Sequence, residues 1–369
     1  LNTDPHEKQF AQMGTQMTKV ALTSLIQNKE YTTPDGKTLR GRDLLREIMR
    51  EINNLSTYGM EELEREMFDD SGELDIEKFS RFLEEELESR DADENLIDGI
   101  QVEVDNDGKK HFKVNLEAMS SIDWIQSILV AKLNKKIVDI NVKGNAFYQR
   151  SVWSMEGKPT ILGDDQLSPT INDGNELKLV NEEGSMDAVI SIDFFMDIIP
   201  EGLKNDFEAS RKWLIKNKII GKDAKANTIA SRIPTQAQSS IHALRFVDVL
   251  PVVRDTIVLP KEFTMVTGSD FDIDKLYLSR LSYRSYKIEV ESNGKKITID
   301  KVSTDFKKDS EDKSRNNLLN YYLTILKDHG KDLGKNGIVN GASAGISLRS
   351  IDSDTNLVKN VLAKIETNK

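Results

Sequence analysis

Between residues 136 and 280 the chain is broken into short β-prone runs: "KIVDINV" (136–142), "ELKLV" (176–180), "DAVISIDFF" (187–195), "DTIVL" (255–259), "FTMVT" (263–267) and "KLYLS" (275–279). One helical stretch, 206–218, interrupts them, with Asp206 placed to cap its N-terminus. A parallel βαβ sheet needs a helix for nearly every strand, so many short strands with little helix predict a small barrel. The flanks have a different texture. The expected organisation is α+β: a helical N-terminal region with a β-hairpin (1–135), a β-barrel domain (136–285), and a C-terminal hairpin and helices (286–369).

Within the N-terminal region a helix is expected over roughly 8–27, and "TPDGKT" (33–38) reads as a turn. A helix with Leu44, Leu45, Ile48, Ile52 and Leu55 at helical spacing follows. A second uses Ile76, Phe79, Leu83 and Leu87, and its other face is a solvated acidic run. "DDSGELD" (69–75) lacks the full ligand pattern of a calcium loop and reads as a turn and helix cap. Asp107-Gly108 supplies the turn of a hairpin over 101–115, and a helical stretch covers 120–135. Beyond the barrel, a hairpin around Asn293-Gly294, a helix near 313–328, a Gly-rich loop and a final helix are expected. No internal repeat is visible.

Composition narrows the chemistry. With no cysteine, disulfides, zinc fingers, iron–sulfur clusters and thiol nucleophiles are excluded. His6, His111, His242 and His329 are isolated and offer no clustered metal-ligand spacing. No apolar run is long enough for a membrane anchor. The chain opens on Leu1 with no basic-then-apolar signal after it, and is expected to be a piece of a longer polypeptide. The net charge of −11 argues at first against nucleic acid, but seventeen acidic and four basic residues lie between Glu61 and Asp98, so the remainder sums to +2. From Glu201 to Glu262 eleven Lys or Arg stand against seven acids, which is compatible with a polyanionic substrate.

The candidate centre is "TGSDFDIDKLYL" (267–278). At strand-like period two, Asp270, Asp272 and Asp274 project to one side while Phe271 and Ile273 point to the other. Carboxylates about 7 Å apart repel and raise one another's pKa values. A hard divalent cation removes that cost, and carboxylate oxygen is the ligand type Mg²⁺ prefers. An EF-hand would need Gly and an acid where Lys275 and Leu281 stand, so that reading fails. A solvated acidic turn and an acidic edge strand without metal are the competing readings.

Upstream lies "ASRIPTQAQSSIHALRFVDVLP" (230–251). "RIPTQ", then β-strands, then "DFDID" resembles the catalytic core of double-psi β-barrel RNA polymerases. Its separation of 38 residues, from Arg232 to Asp270, is similar to the family's. Ile273, where most members have Gly, is similar to the variant of crAss-like bacteriophage RNA polymerases. The resemblance covers roughly 140–325, counting the "SRNNLLNYYLTIL" helix.

It implies a six-stranded double-psi β-barrel and a DNA-dependent RNA polymerase, a nucleotidyltransferase. Asp270, Asp272 and Asp274 would hold the catalytic Mg²⁺ against the RNA 3′-hydroxyl, and a second Mg²⁺ would arrive with the nucleoside triphosphate. Arg232 would lie beside the nucleotide's ribose or phosphates, Pro234 would fix the backbone there, and Gln236 would touch ribose hydroxyls. The implied partners are a nucleic-acid template, the RNA product, nucleoside triphosphates and a second polymerase barrel. That second barrel, on another chain or in missing sequence, would supply lysines to the nucleotide phosphates. Two function classes follow: the metal-binding half of a phage polymerase acting in the host bacterial cytoplasm, or packaged virion cargo or a structural protein derived from one, held among phage virion proteins.

Overall fold

A computed structural model describes residues 10–12, 30–33, 36–90, 92–115, 122–151, 177–232, 240–251, 256–260, 263, 267, 275–292 and 295–335. The fold is mixed α+β, and the chain separates into two compact units, 1–48 with 141–369 and 49–140.

The 49–140 unit takes most of helix α1 (Arg42–Met67), then α2 (Ile76–Glu88), α3 (Glu94–Gly99), the hairpin β4 (Val102–Val104) and β5 (Lys110–Phe112), and α4 (Ile122–Leu133). Asp75 caps α2 by accepting from the Glu77 and Lys78 amides, satisfying donors that the first helical turn leaves over. Lys78 Nζ donates to the Phe68 carbonyl at 2.8 Å, so an ammonium group closes the acidic 69–75 turn. Phe82, Leu83, Leu87, Leu96, Ile100, Ile125 and Ile128 form the unit's core. A π-helical turn, Asn134–Val138, follows α4, and Ser56 donates to its Ile137 carbonyl.

The larger unit is organised by a mixed sheet. Its six main strands are β6 (Asn141–Ser151), β7 (Met186–Ser191), β8 (Thr228–Arg232), β9 (Ile241–Leu250), β10 (Thr256–Leu259) and β11 (Lys275–Arg280). The pairings run β6-β10-β7-β9-β8-β11 and return from β11 to β6, while the short β1 (Phe10–Gln12) adds to β6. β6 with β10 and β7 with β9 are parallel, and the other four pairings are antiparallel. Phe147, Phe194, Phe195 and Phe246 meet edge to face, with ring centroids 5.1 to 5.7 Å apart, in the core to which these strands contribute. Between β7 and β8 lies α5 (Phe207–Lys216), capped by Asp206 and tied to β9 by paired hydrogen bonds of 2.7 and 2.8 Å from Arg211 to the buried Asp248. The rest of the unit comprises the hairpins β2 (Glu30–Thr32) with β3 (Thr38–Arg40) and β12 (Arg284–Ser292) with β13 (Lys295–Ser303), then α6 (Glu311–Lys335). Asn316 of α6 bonds the backbone of Ser282 and Thr304.

Several local expectations are corrected. Phe10–Gln12 is a strand rather than part of a helix, because it finds an antiparallel partner in β6. Residues 136–138 of "KIVDINV" belong to the π turn that continues the preceding helix. "ELKLV" forms no strand over its described residues 177–180; it leads into a tight turn where Asn181 and Ser185 bond each other. In "FTMVT", Phe263 and Thr267 are helical: the Thr267 hydroxyl donates to the Phe263 carbonyl four residues back, at 2.8 Å.

Candidate functional site

β8 and β11 lie antiparallel, with Arg232 opposite Leu276, Ala230 opposite Leu278 and Thr228 opposite Arg280. Arg232 is half-buried, and its Nη1 donates to the Thr267 carbonyl at 2.8 Å. Thr267 is 2 % exposed and held by the turn over buried Phe263, whose ring lies 5.5 Å from that of His242 on β9. Residues 268–274 therefore leave from a residue bonded to Arg232 and return at β11, whose second residue, Leu276, is Arg232's register partner. Both ends of the aspartate-bearing connection converge on one arginine.

The aspartates themselves, Asp270, Asp272 and Asp274, lie outside the described residues, as do Pro234 and Gln236. Lys275, beside the cluster, is exposed at the start of β11. Among the described residues no three carboxylate or imidazole groups gather as metal ligands, and no helix is long and apolar enough to cross a membrane.

The strand cycle has a symmetry that no sequence repeat announces. Advancing each strand by three places (β6 to β9, β7 to β10, β8 to β11) reproduces every pairing with its direction. A twofold axis through the Ala230–Leu278 pair exchanges Ser231 with Ser279 and Arg232 with Arg280.

The second arginine was not singled out from sequence, and neither was its partner. Arg280 Nη2 bonds both oxygens of Asp197, at 2.6 and 2.5 Å, and its guanidinium lies 5.2, 5.6 and 6.0 Å from the rings of Phe194, Phe195 and Tyr283. Its side chain is 5 % exposed. Burial pushes the Tyr283 hydroxyl up to about 12; Asp197 adds to that rise, and Arg280 and a hydrogen bond with Asn227 oppose it. The one available signal was the shared Ser-Arg ending of "TIASR" and "LYLSR", too short to stand out among 369 residues.

Each arginine thus reaches into the connection of the other half: Arg232 into the β10–β11 connection, Arg280 into the β7–β8 connection. A scan against protein-family models finds no match to this chain, and a search of curated proteins finds none.

Proposed function

We propose that this chain is the metal-binding barrel of a phage DNA-dependent RNA polymerase, its six paired strands closing into a double-psi β-barrel. The observation that carries the reading is the anchoring of both ends of the 268–274 connection at Arg232. The twofold strand cycle supports the barrel assignment, because it interlocks two three-strand halves.

The donor set fits the ion. Asp270, Asp272 and Asp274 offer only oxygen ligands, as a hard divalent cation requires. Mg²⁺ held there supplies charge neutralisation and lowers the pKa of a ribose 3′-hydroxyl. Arg232 presents a planar, permanently charged fork to the ribose or phosphates of the incoming nucleotide. Pro234 would hold the adjoining backbone, and Gln236 would contact ribose hydroxyls.

A triphosphate brings roughly four negative charges to three carboxylates, which two divalent cations and Arg232 leave about two short of neutral. A second barrel with lysines completes the site. The test is RNA synthesis by the full chain joined to its completing barrel. Asp272→Ala should abolish synthesis while the thermal transition of the chain is unchanged. Retained synthesis overturns the reading, as does robust primer extension by the isolated 369 residues for the two-barrel requirement.

A further inference from the structure

The connection from β7 to β8 carries a run of positive charge that the site at Arg232 does not use. Lys212, Lys216, Lys218, Lys222 and Lys225 are all exposed, and among the described residues none of them takes part in an ion pair. The only acid in that stretch is Asp223. Lys212 and Lys216 are one turn apart on α5 and share a face with exposed Ile215 close by. Arg211 on the same helix is different, because Asp248 takes its charge.

The field continues onto α6. Burial lowers the pKa of Lys327; Glu183 opposes this, and repulsion from Lys331 and Lys225 lowers it further. Lys327 therefore stands close to two other ammonium groups, Lys331 and Lys225. Packing holds this corner in place: a methyl group at Gly184 would lie 1.9 Å from the Lys327 carbonyl and 2.8 Å from Lys331 Cγ.

β8 begins three residues after Lys225 and ends at Arg232, so Lys225, at the end of the lysine-bearing connection, stands beyond the strand's far end from Arg232, the strand being about 13 Å long. Lysines on flexible stems act as point charges and suit phosphates of any sequence, whereas bidentate reading of bases calls for free arginine forks.

We propose that the lysines at 212, 216, 218, 222 and 225 form a sequence-independent docking surface for a nucleic-acid backbone, remote from the Arg232 end. Naming nucleic acid as the polyanion rests on the polymerase reading. The competing polyanion is the 49–140 unit of a second copy, which holds 24 acidic and 11 basic residues.

The test is fluorescence anisotropy of the full chain with a labelled single-stranded RNA of arbitrary sequence, across about 50 to 200 mM salt. Replacing all five lysines by Gln should weaken binding at low salt at least about thirtyfold and reduce the slope of log affinity on log salt by about three to four. Replacing them by Arg should preserve both. If the fivefold variant does not fold by circular dichroism, K212Q/K216Q should still lower the slope by about one to one and a half.

An unchanged slope overturns the proposal, and so does a wild-type chain with no salt-dependent binding. Loss of self-association in sedimentation, with RNA binding intact, overturns it in favour of the second copy. Synthesis by the wild-type chain joined to its completing barrel separates the two readings: lysine-dependent RNA binding without any synthesis would sink the polymerase reading and leave a polyanion surface.

Discussion

Arg232 and Arg280 occupy equivalent places at opposite ends of one strand pair, and the chain treats them differently. Arg280 is closed off: two carboxylate oxygens take its Nη2, three aromatic rings surround it, and little of it meets solvent. Arg232 stays half-buried and reaches a backbone carbonyl in the connection that carries three aspartates. The symmetry belongs to the backbone, and the connections break it. A short side-chain partner and a set of phenyl rings turn one arginine into a structural pin. At the other end the guanidinium bonds the Thr267 carbonyl, where the aspartate-bearing connection begins.

The largest expected effect lies at the closed end. Asp197→Ala leaves a guanidinium buried against rings without its partner, and should cost about 3 kcal/mol in urea denaturation. Adding Arg280→Met should recover most of that loss, since removing both charges removes the desolvation cost. A loss as large from Arg232→Ala would erase the distinction between the ends.

Next in size is Gly144→Ala, where a methyl group would lie 1.8 Å from the carbonyl oxygen of Leu278. It should force β6 and β11 apart beside the twofold axis and cost about 2 kcal/mol by the same denaturation. A neutral result would show that β6 does not pack on β11 and would break the strand cycle.

Losing the hydrogen bond from Arg232 to the Thr267 carbonyl in Arg232→Ala should cost about 1 kcal/mol of stability. If the chain is the polymerase barrel proposed above, Arg232→Ala should also raise the KM for nucleotide once the chain is joined to its completing barrel. Arg280→Lys should leave that KM alone.

A pH dependence is expected at the closed end. The hydroxyl of Tyr283 is raised from 10 to about 12 in the folded chain. The raised value means that its contribution is fully present below pH 10 and is lost as pH climbs from 10 towards about 12, where the unfolded chain has already given up its proton. Tyr283→Phe should flatten the denaturation midpoint over that window, and an unchanged slope would contradict the burial of this hydroxyl.

Much of this was legible where local chemistry decides structure. Asp75 and Asp206 cap helices as their positions imply, and Asp107-Gly108 turns its hairpin with Gly108 at φ +79°. "FTMVT" misled because its β-branched residues favour strands, whereas the Thr267 hydroxyl and buried Phe263 hold a helical turn. Strand Phe10–Gln12 escaped detection because its partner lies more than 120 residues away. The cycle closes through such distant pairings, between 141–151 and 256–280, and no local pattern encodes them. At the site, Arg232 stood out through its motif, while Arg280 and Asp197 did not, since a buried ion pair leaves no spacing to read. The aspartates lie outside the described residues.

The central claim, a divalent cation at the Arg232 end, is most directly tested by putting Fe²⁺ in place of Mg²⁺ in the full chain joined to its completing barrel, and mapping the backbone cuts made by hydroxyl radicals generated at the iron. The account predicts cuts within 268–274 and beside Arg232, suppressed by excess Mg²⁺ and absent from a variant with Asp270, Asp272 and Asp274 all changed to Asn. Cuts clustered around Asp197 or the 69–75 turn, or cuts that survive the triple change, would contradict it.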